Sequence, residues 1–134
     1  MAVTAQQASV RKPDDVFRIS LLARYPDATD EQWSASYDGM SVSFKSGDVY
    51  IESIFNKNAQ WVCTFTPIVF EALPQAARDS LTEGTYKNWE KGSAYYVEAP
   101  GIKAYYKIFV YNIDWNELEL NFDVIGKVNL TNLP

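Results

Sequence analysis

Pro74-Gln75-Ala76-Ala77-Arg78-Asp79-Ser80-Leu81-Thr82-Glu83-Gly84-Thr85-Tyr86 decides the fold, because it restarts a pattern the chain has already used. The stretch reads as a short helix. Proline suits the first helical position, where its missing N–H removes no bond. Gly84 stands where a left-handed residue would close the helix. Tyr86 follows Pro74 by twelve residues, as Tyr25 follows Pro13. Each unit then runs into a β-rich segment with a matching hairpin, Ile54-Phe55-Asn56-Lys57-Asn58-Ala59-Gln60-Trp61 and Asn121-Phe122-Asp123-Val124-Ile125-Gly126-Lys127-Val128. The interval from that tyrosine to the hairpin phenylalanine is 30 residues in the first copy and 36 in the second, the surplus lengthening a hairpin. The fold class is therefore α+β: two αβββ repeats, 13–66 and 67–134, form an extended antiparallel sheet with helices packed on one face. Residues 1–12, small and polar, read as a flexible lead-in.

In the first repeat, a helix is expected from Pro13 to Arg24, with Asp14 and Asp15 in its first turn and Arg24 in its last, the polarity its dipole favours. Val16, Phe17, Ile19, Leu21, Leu22 and Ala23 give it a broad apolar face, and Tyr25-Pro26 ends it. Asp27 to Gln32 reads as a polar turn. Alternation begins at Trp33. Met40, Val42 and Phe44 oppose Ser41, Ser43 and Lys45; after the reversal at Ser46-Gly47-Asp48, Val49, Ile51 and Phe55 oppose Tyr50, Glu52 and Ile54. Gln60 to Phe65 completes a three-stranded meander.

In the second repeat, Thr66-Pro67 opens a short turn over Ile68 to Leu73, ahead of the helix at Pro74. Strands follow at Ser93–Glu98, Lys103–Tyr111 and Glu117–Phe122, with a last edge strand at Lys127–Leu130. On the longest, Ala104, Tyr106, Ile108 and Val110 make the better core side. Lys103, Tyr105, Lys107, Phe109 and Tyr111 fall on the uncovered side, where Lys107 pairs with Glu117 or Glu119 for under about 1 kcal/mol.

Composition excludes several functions. The net charge is −5 and Arg11-Lys12 is the only basic cluster, so the footprint that nucleic acid requires is missing. No apolar run reaches the length of a membrane span. A chain without histidine offers no Ser-His-Asp or Cys-His triad and no His-containing zinc site. Cys63, the single cysteine, has no disulfide partner in the chain and sits between Val62 and Thr64, where a thiol behaves as a small hydrophobe. The carboxylate pairs Asp38 with Asp48 and Glu98 with Glu117 are the candidates for glycosidase-type chemistry, but their spacing matches ordinary surface acids. Asp27-Ala28-Thr29-Asp30-Glu31 lacks the alternating ligands and central glycine of a calcium loop. The glycines are isolated turn or cap positions and form no phosphate loop. The expectation is a protein that is not an enzyme, with no cofactor and no metal.

Aromatic residues are the strongest signal, with nine Tyr, seven Phe and four Trp. Tyr105, Phe109 and Tyr111 interleave with Lys103 and Lys107; joined by Tyr50 and Ile54, they form an amphipathic patch of the kind enriched at protein interfaces. Two alternatives stay open: another element covers the patch, or a register slip of one residue exchanges the faces.

Pro-x11-Tyr used twice, Tyr25-Pro26-Asp27-Ala28 with Trp33 eight residues past the tyrosine, Leu73-Pro74 and the closing Phe-Asp/Asn hairpins together resemble the PepSY-like family, similar in fold to the beta-lactamase inhibitory protein. The resemblance spans about Pro13 to Val128. It implies an exported, periplasmic or secreted protein that binds or inhibits a protein or peptide through the open sheet face, and it brings no catalytic residues. The chain lacks the disulfide pairs of the lactamase inhibitor. Met1 to Arg11 has no apolar h-region, so any leader is expected outside this sequence. The alternative is a binder of a small molecule or cell-envelope component in a pocket between helices and sheet near Trp33, Trp61 and Trp89.

Overall fold

The structure is a computed structural model and describes residues 14–128. Its elements run α1 (Asp15–Arg24), β1 (Thr29–Ser36), β2 (Gly39–Ser46), β3 (Val49–Asn56), β4 (Trp61–Ile68), a 3-10 turn (Phe70–Ala72), α2 (Gln75–Glu83), β5 (Glu90–Glu98), β6 (Tyr105–Tyr111) and β7 (Glu117–Phe122). The seven strands follow one another in a single sheet in chain order. The chain divides into two compact units between Thr64 and Phe65, inside β4. The expected lead-in 1–12, Pro13 and residues 129–130 of the expected last strand lie outside the described residues. What is described of that strand is an isolated bridge between Val128 and Phe122.

In the first unit α1 packs on one face of the strands. Phe17 and Leu21, one turn apart, are its buried residues, since side chains four apart share a helix face. Val16, Ile19 and Leu22 are exposed, so the broad apolar face expected for this helix narrows to a stripe. The stripe meets Trp33, Met40, Val42, Phe44, Phe55 and Ala59. Trp33 lies against Phe17 at 6.3 Å and Phe55 at 6.2 Å. Fully burying a side chain such as Phe44 or Phe55 stabilises by roughly 1.5–3 kcal/mol.

Beneath α1, the Thr64 hydroxyl accepts from the Tyr25 hydroxyl at 2.7 Å and the Trp61 indole at 2.8 Å. A hydroxyl with both lone pairs engaged can only donate, so the 2.6 Å contact of Thr64 with buried Ser53 makes Ser53 the acceptor. The segment read as a polar turn, Asp27 to Gln32, is instead mostly strand: β1 begins at Thr29 and pairs with β2 through an irregularity between Thr29 and Gln32. An outermost strand with wet residues lacks the alternation that marks strands from sequence. Four strands, β1 to β4, thus stand between α1 and α2 where three were expected.

In the second unit Pro74 is the residue before α2 rather than its first, and its carbonyl accepts the Arg78 N–H at 3.0 Å. Ala77 and Leu81 project from α2 onto a core of Leu73, Ala94, Ile108, Val110 and Phe122. Gly84 ends the helix, but its φ of −94° and ψ of −152° are extended rather than left-handed. Glycine is needed there because a Cβ would lie 2.5 Å from the Ser80 carbonyl oxygen. Past the helix, the Lys91 ammonium donates to the carbonyls of Tyr86, Lys87 and Trp89 at 2.9, 3.2 and 2.7 Å, holding the turn that leads into β5.

One five-residue hairpin turn occurs at Asn56–Gln60, Asn112–Asn116 and Asp123–Lys127. In each, the first side chain's Oδ1 accepts the N–H groups of the third and fifth residues at 2.8–3.0 Å. The fourth residue takes positive φ: Ala59 at 61°, Trp115 at 60° and Gly126 at 93°. Asn and Asp suit the first position because their short side chains bond the backbone two residues on.

Candidate binding face

The pairing register fixes which side chains share a surface. Tyr105, Lys107, Phe109 and Tyr111 alternate with the core residues Ile108 and Val110, so they lie opposite α2 as the sequence implied. Across strands, Tyr111 sits between Glu90 and Glu117, Lys107 between Tyr95 and Asn121, and Tyr105 beside Val97. Phe65 and Tyr95 meet edge to face at 6.2 Å, and Tyr95 and Phe109 at 6.4 Å. Edge-to-face contacts of this kind add about 0.5–1.5 kcal/mol beyond area burial. The three half-buried rings thus pack edge to face in a row.

Exposure along this face departs from expectation. Tyr105 is 1% and Lys107 7% exposed, so these two are interior, not wet. Phe109 and Tyr111 are half-buried, and Lys103, just before β6, is exposed. Alternation reports which way a side chain points, not what lies over it, so sequence placed the face correctly and misjudged its depth. The Lys107 ammonium pairs with Glu119 at 3.1 Å, one of the two expected partners, and lies 5.5 Å over the Phe65 ring. Asn121, beside Lys107, points a buried Oδ1 with no hydrogen-bond partner among the described residues.

Tyr50 and Ile54 belong to the first unit, on the face of β3 opposite α1. Tyr50 is 51% exposed and Ile54 half-buried. Their cross-strand partners are Lys45 and Ser41, and Ser43 pairs with Glu52 between them. Ser34 and Ser41 touch through their hydroxyls at 3.1 Å. This face is polar, and its one exposed aromatic has no aromatic neighbour across the strand pair.

Other groups singled out in the sequence are placed as follows. Asp38 and Asp48 flank the eight residues of β2, roughly 25 Å apart at strand rise. Glu98 and Glu117 lie at opposite ends of β6, beyond the Val97–Tyr105 pair and opposite Tyr111 respectively. Neither pair converges. Glu31 accepts from Arg18 through both oxygens at 3.0 Å and from the Trp33 indole at 2.9 Å; these bonds, led by that from Arg18, hold its carboxyl below the ordinary range. Among the described residues no three His, Cys, Asp or Glu are placed to hold a metal ion, and no helix is long and apolar enough to cross a membrane. Cys63 is buried. Trp33 is a core residue, Trp61 stacks under the Arg24 guanidinium at 3.2 Å beside an open hollow of about 350 Å³, and Trp89 packs on Tyr86 in the other unit.

Asp114-Trp115-Asn116 lies in the turn between β6 and β7. The structure makes it the most exposed aromatic feature of the β6–β7 hairpin. Trp115 is 69% and Ile113 92% exposed, and the Trp115 ring lies 5.9 Å from that of Tyr111. The Tyr111 hydroxyl donates to Glu117 at 2.8 Å, a bond that raises its pKa. The missed signal was spacing: Asn112 opens the same turn as Asn56 and Asp123, with tryptophan where the others carry alanine and glycine.

No protein-family model matches the sequence, and no curated protein matches it. Solved structures with the same fold include a BLIP-like protein from Bacteroides fragilis, 22% identical over 92% of this chain and 91% of that one, with a TM-score of 0.79. A DUF2874 family protein from Bacteroides ovatus is 22% identical over 88% and 85%, with a TM-score of 0.78. A Bacteroides eggerthii protein provisionally assigned to the periplasm is 19% identical over 88% and 86%, with a TM-score of 0.77. At such identities the likeness shows the fold: this chain has the BLIP-like fold.

Proposed function

We propose that this chain is an exported, non-enzymatic binding or inhibitory module that recognises a protein or peptide partner through the face of β5–β7 opposite α2. The observation that carries the reading is the linked ring set Phe65–Tyr95–Phe109 beside the Lys107–Glu119 pair. Rigid aromatics are what interface centres are enriched in, and charged groups such as the Lys107–Glu119 pair belong to their rim. The BLIP-like fold, the provisional periplasmic assignment of one structural neighbour and the PepSY-like resemblance support the same reading. Tyr50 and Ile54 are set outside the proposed centre because they stand among serines in the other unit. Tyr105 is likewise set outside the proposed centre, since its burial leaves it no area to offer.

Tyr95→Ser with Phe109→Ser tests the reading. The double variant should keep the wild-type fold by circular dichroism and lose a partner that wild-type protein captures reproducibly from a cell-envelope extract. Unchanged capture by the folded variant, or no captured partner at all, contradicts it.

A further inference from the structure

The β6–β7 hairpin carries a second feature, apart from the Phe65–Tyr95–Phe109 set. Asn88, Glu90, Tyr111, Asn112, Ile113 and Trp115 line a cleft of about 320 Å³. Three observations bear on what it takes. The first is backbone strain. Trp115 holds φ at 60°, a region that costs a residue with a Cβ about 1–2 kcal/mol. The matching positions carry Ala59, buried in the core, and Gly126. Strain kept at an exposed tryptophan points to a use for the ring's outward position.

The second observation is how the Tyr111 ring is set. A Cβ on Gly92 would lie 2.7 Å from its Cε2, so glycine at the irregularity in β5 leaves the room the ring occupies. The third is charge. The register puts Tyr111 directly between the exposed carboxylates Glu90 and Glu117. No lysine or arginine lines the cleft; of the two lysines adjacent in sequence to its lining, Lys91 is committed to three carbonyl oxygens, and Lys87 is exposed.

Two electron-rich rings beside the Glu90 carboxylate, with Glu117 held on the Tyr111 hydroxyl behind them, form a receptor for a cation, which gains from the ring quadrupole and from the acid together. We infer that the Glu90–Tyr111–Trp115 cleft binds a guanidinium or ammonium group, presented as an arginine or lysine side chain of a polypeptide partner. The polypeptide source rests on the function proposed above. The preference for a cation does not.

The test is a titration of the ¹⁵N-labelled chain with blocked Gly-Arg-Gly, blocked Gly-Glu-Gly and maltotriose, following the Trp115 indole and the Asn88 and Asn112 side-chain amides. The arginine peptide should shift these signals saturably and the other two should not. Glu90→Gln should weaken binding several-fold, and Trp115→Ala should abolish it while the remaining spectrum keeps its wild-type dispersion. Absence of a shift with the arginine peptide, or an equal response to the glutamate peptide or the sugar, overturns the inference. Because the titration uses no natural partner and leaves Tyr95 and Phe109 intact, its failure is separable from failure of the envelope-capture experiment.

Discussion

The two units solve the same problem with different outer surfaces. In the first, the strand face turned from α1 carries Ser34, Ser41, Ser43, Lys45, Tyr50, Glu52 and Ile54. In the second, the face turned from α2 carries Tyr95, Val97, Tyr105, Lys107, Phe109 and Tyr111. The helix-facing sets are alike: aliphatic and aromatic residues under one helix. A face of serines and charges is enough for a sheet that needs only one covered side; in the second unit Val97, Tyr105 and Lys107 are buried on that face, and the half-buried rings beside them are where the proposed partner would sit.

The comparison breaks first if the helix-facing sets are not equivalent. Phe44→Ala should cost about 3–5 kcal/mol and Ile108→Ala about 2–5 kcal/mol in urea unfolding, because each removes a fully buried side chain and leaves a cavity. A loss well under 1 kcal/mol at either site would mean that its unit does not rely on its helix. Next in size is Gly126→Ala. A Cβ there would sit 2.7 Å from the Ala77 nitrogen and 2.8 Å from the Ala76 Cβ, on a backbone with φ of 93°. Strain and crowding together predict a loss of about 2–3 kcal/mol.

The turns sharpen the contrast at lower cost. Trp115→Gly relieves positive φ at an exposed site and should raise stability by about 0.4–1 kcal/mol. Ala59→Gly relieves the same strain but withdraws a buried methyl worth about 0.8 kcal/mol, so its net change should lie near zero. Equal gains at both positions would show that Ala59 adds nothing to the core.

The smallest effect is electrostatic. Glu31 has a carboxyl pKa lowered in the folded protein, first by the Arg18 hydrogen bond and further by the Trp33 indole. The unfolded chain binds its proton near the ordinary value of about 4.3. The contribution is thus fully present above that pH and is lost as pH falls below it through the folded pKa. Glu31→Gln should flatten the acid side of a melting-temperature profile and leave the slope near neutrality unchanged.

How much of this was legible in sequence differs by residue for physical reasons. Ile108 and Val110 announced the core side of β6 because a strand flanked on both sides, with one face buried, must alternate. Thr29 to Gln32 hid because an outermost strand needs no apolar partner. The helix at Pro74–Gly84 was readable from its ends, yet Gly84 proved necessary for a close approach to Ser80 and not for a left-handed turn. The burial of Tyr105 and Lys107 could not be read from alternation. Trp115 was missed because its meaning lies in a backbone angle shared with two distant turns.

The central claim is that a partner sits on the ring face of the second unit and not on the serine face of the first. A photoreactive benzoylphenylalanine placed at Tyr95, and separately at Ser43, tests it directly in cell-envelope extract. The account predicts a discrete cross-linked adduct from position 95 and none from position 43. Adducts from position 43 alone, or the same adduct from both, would contradict it.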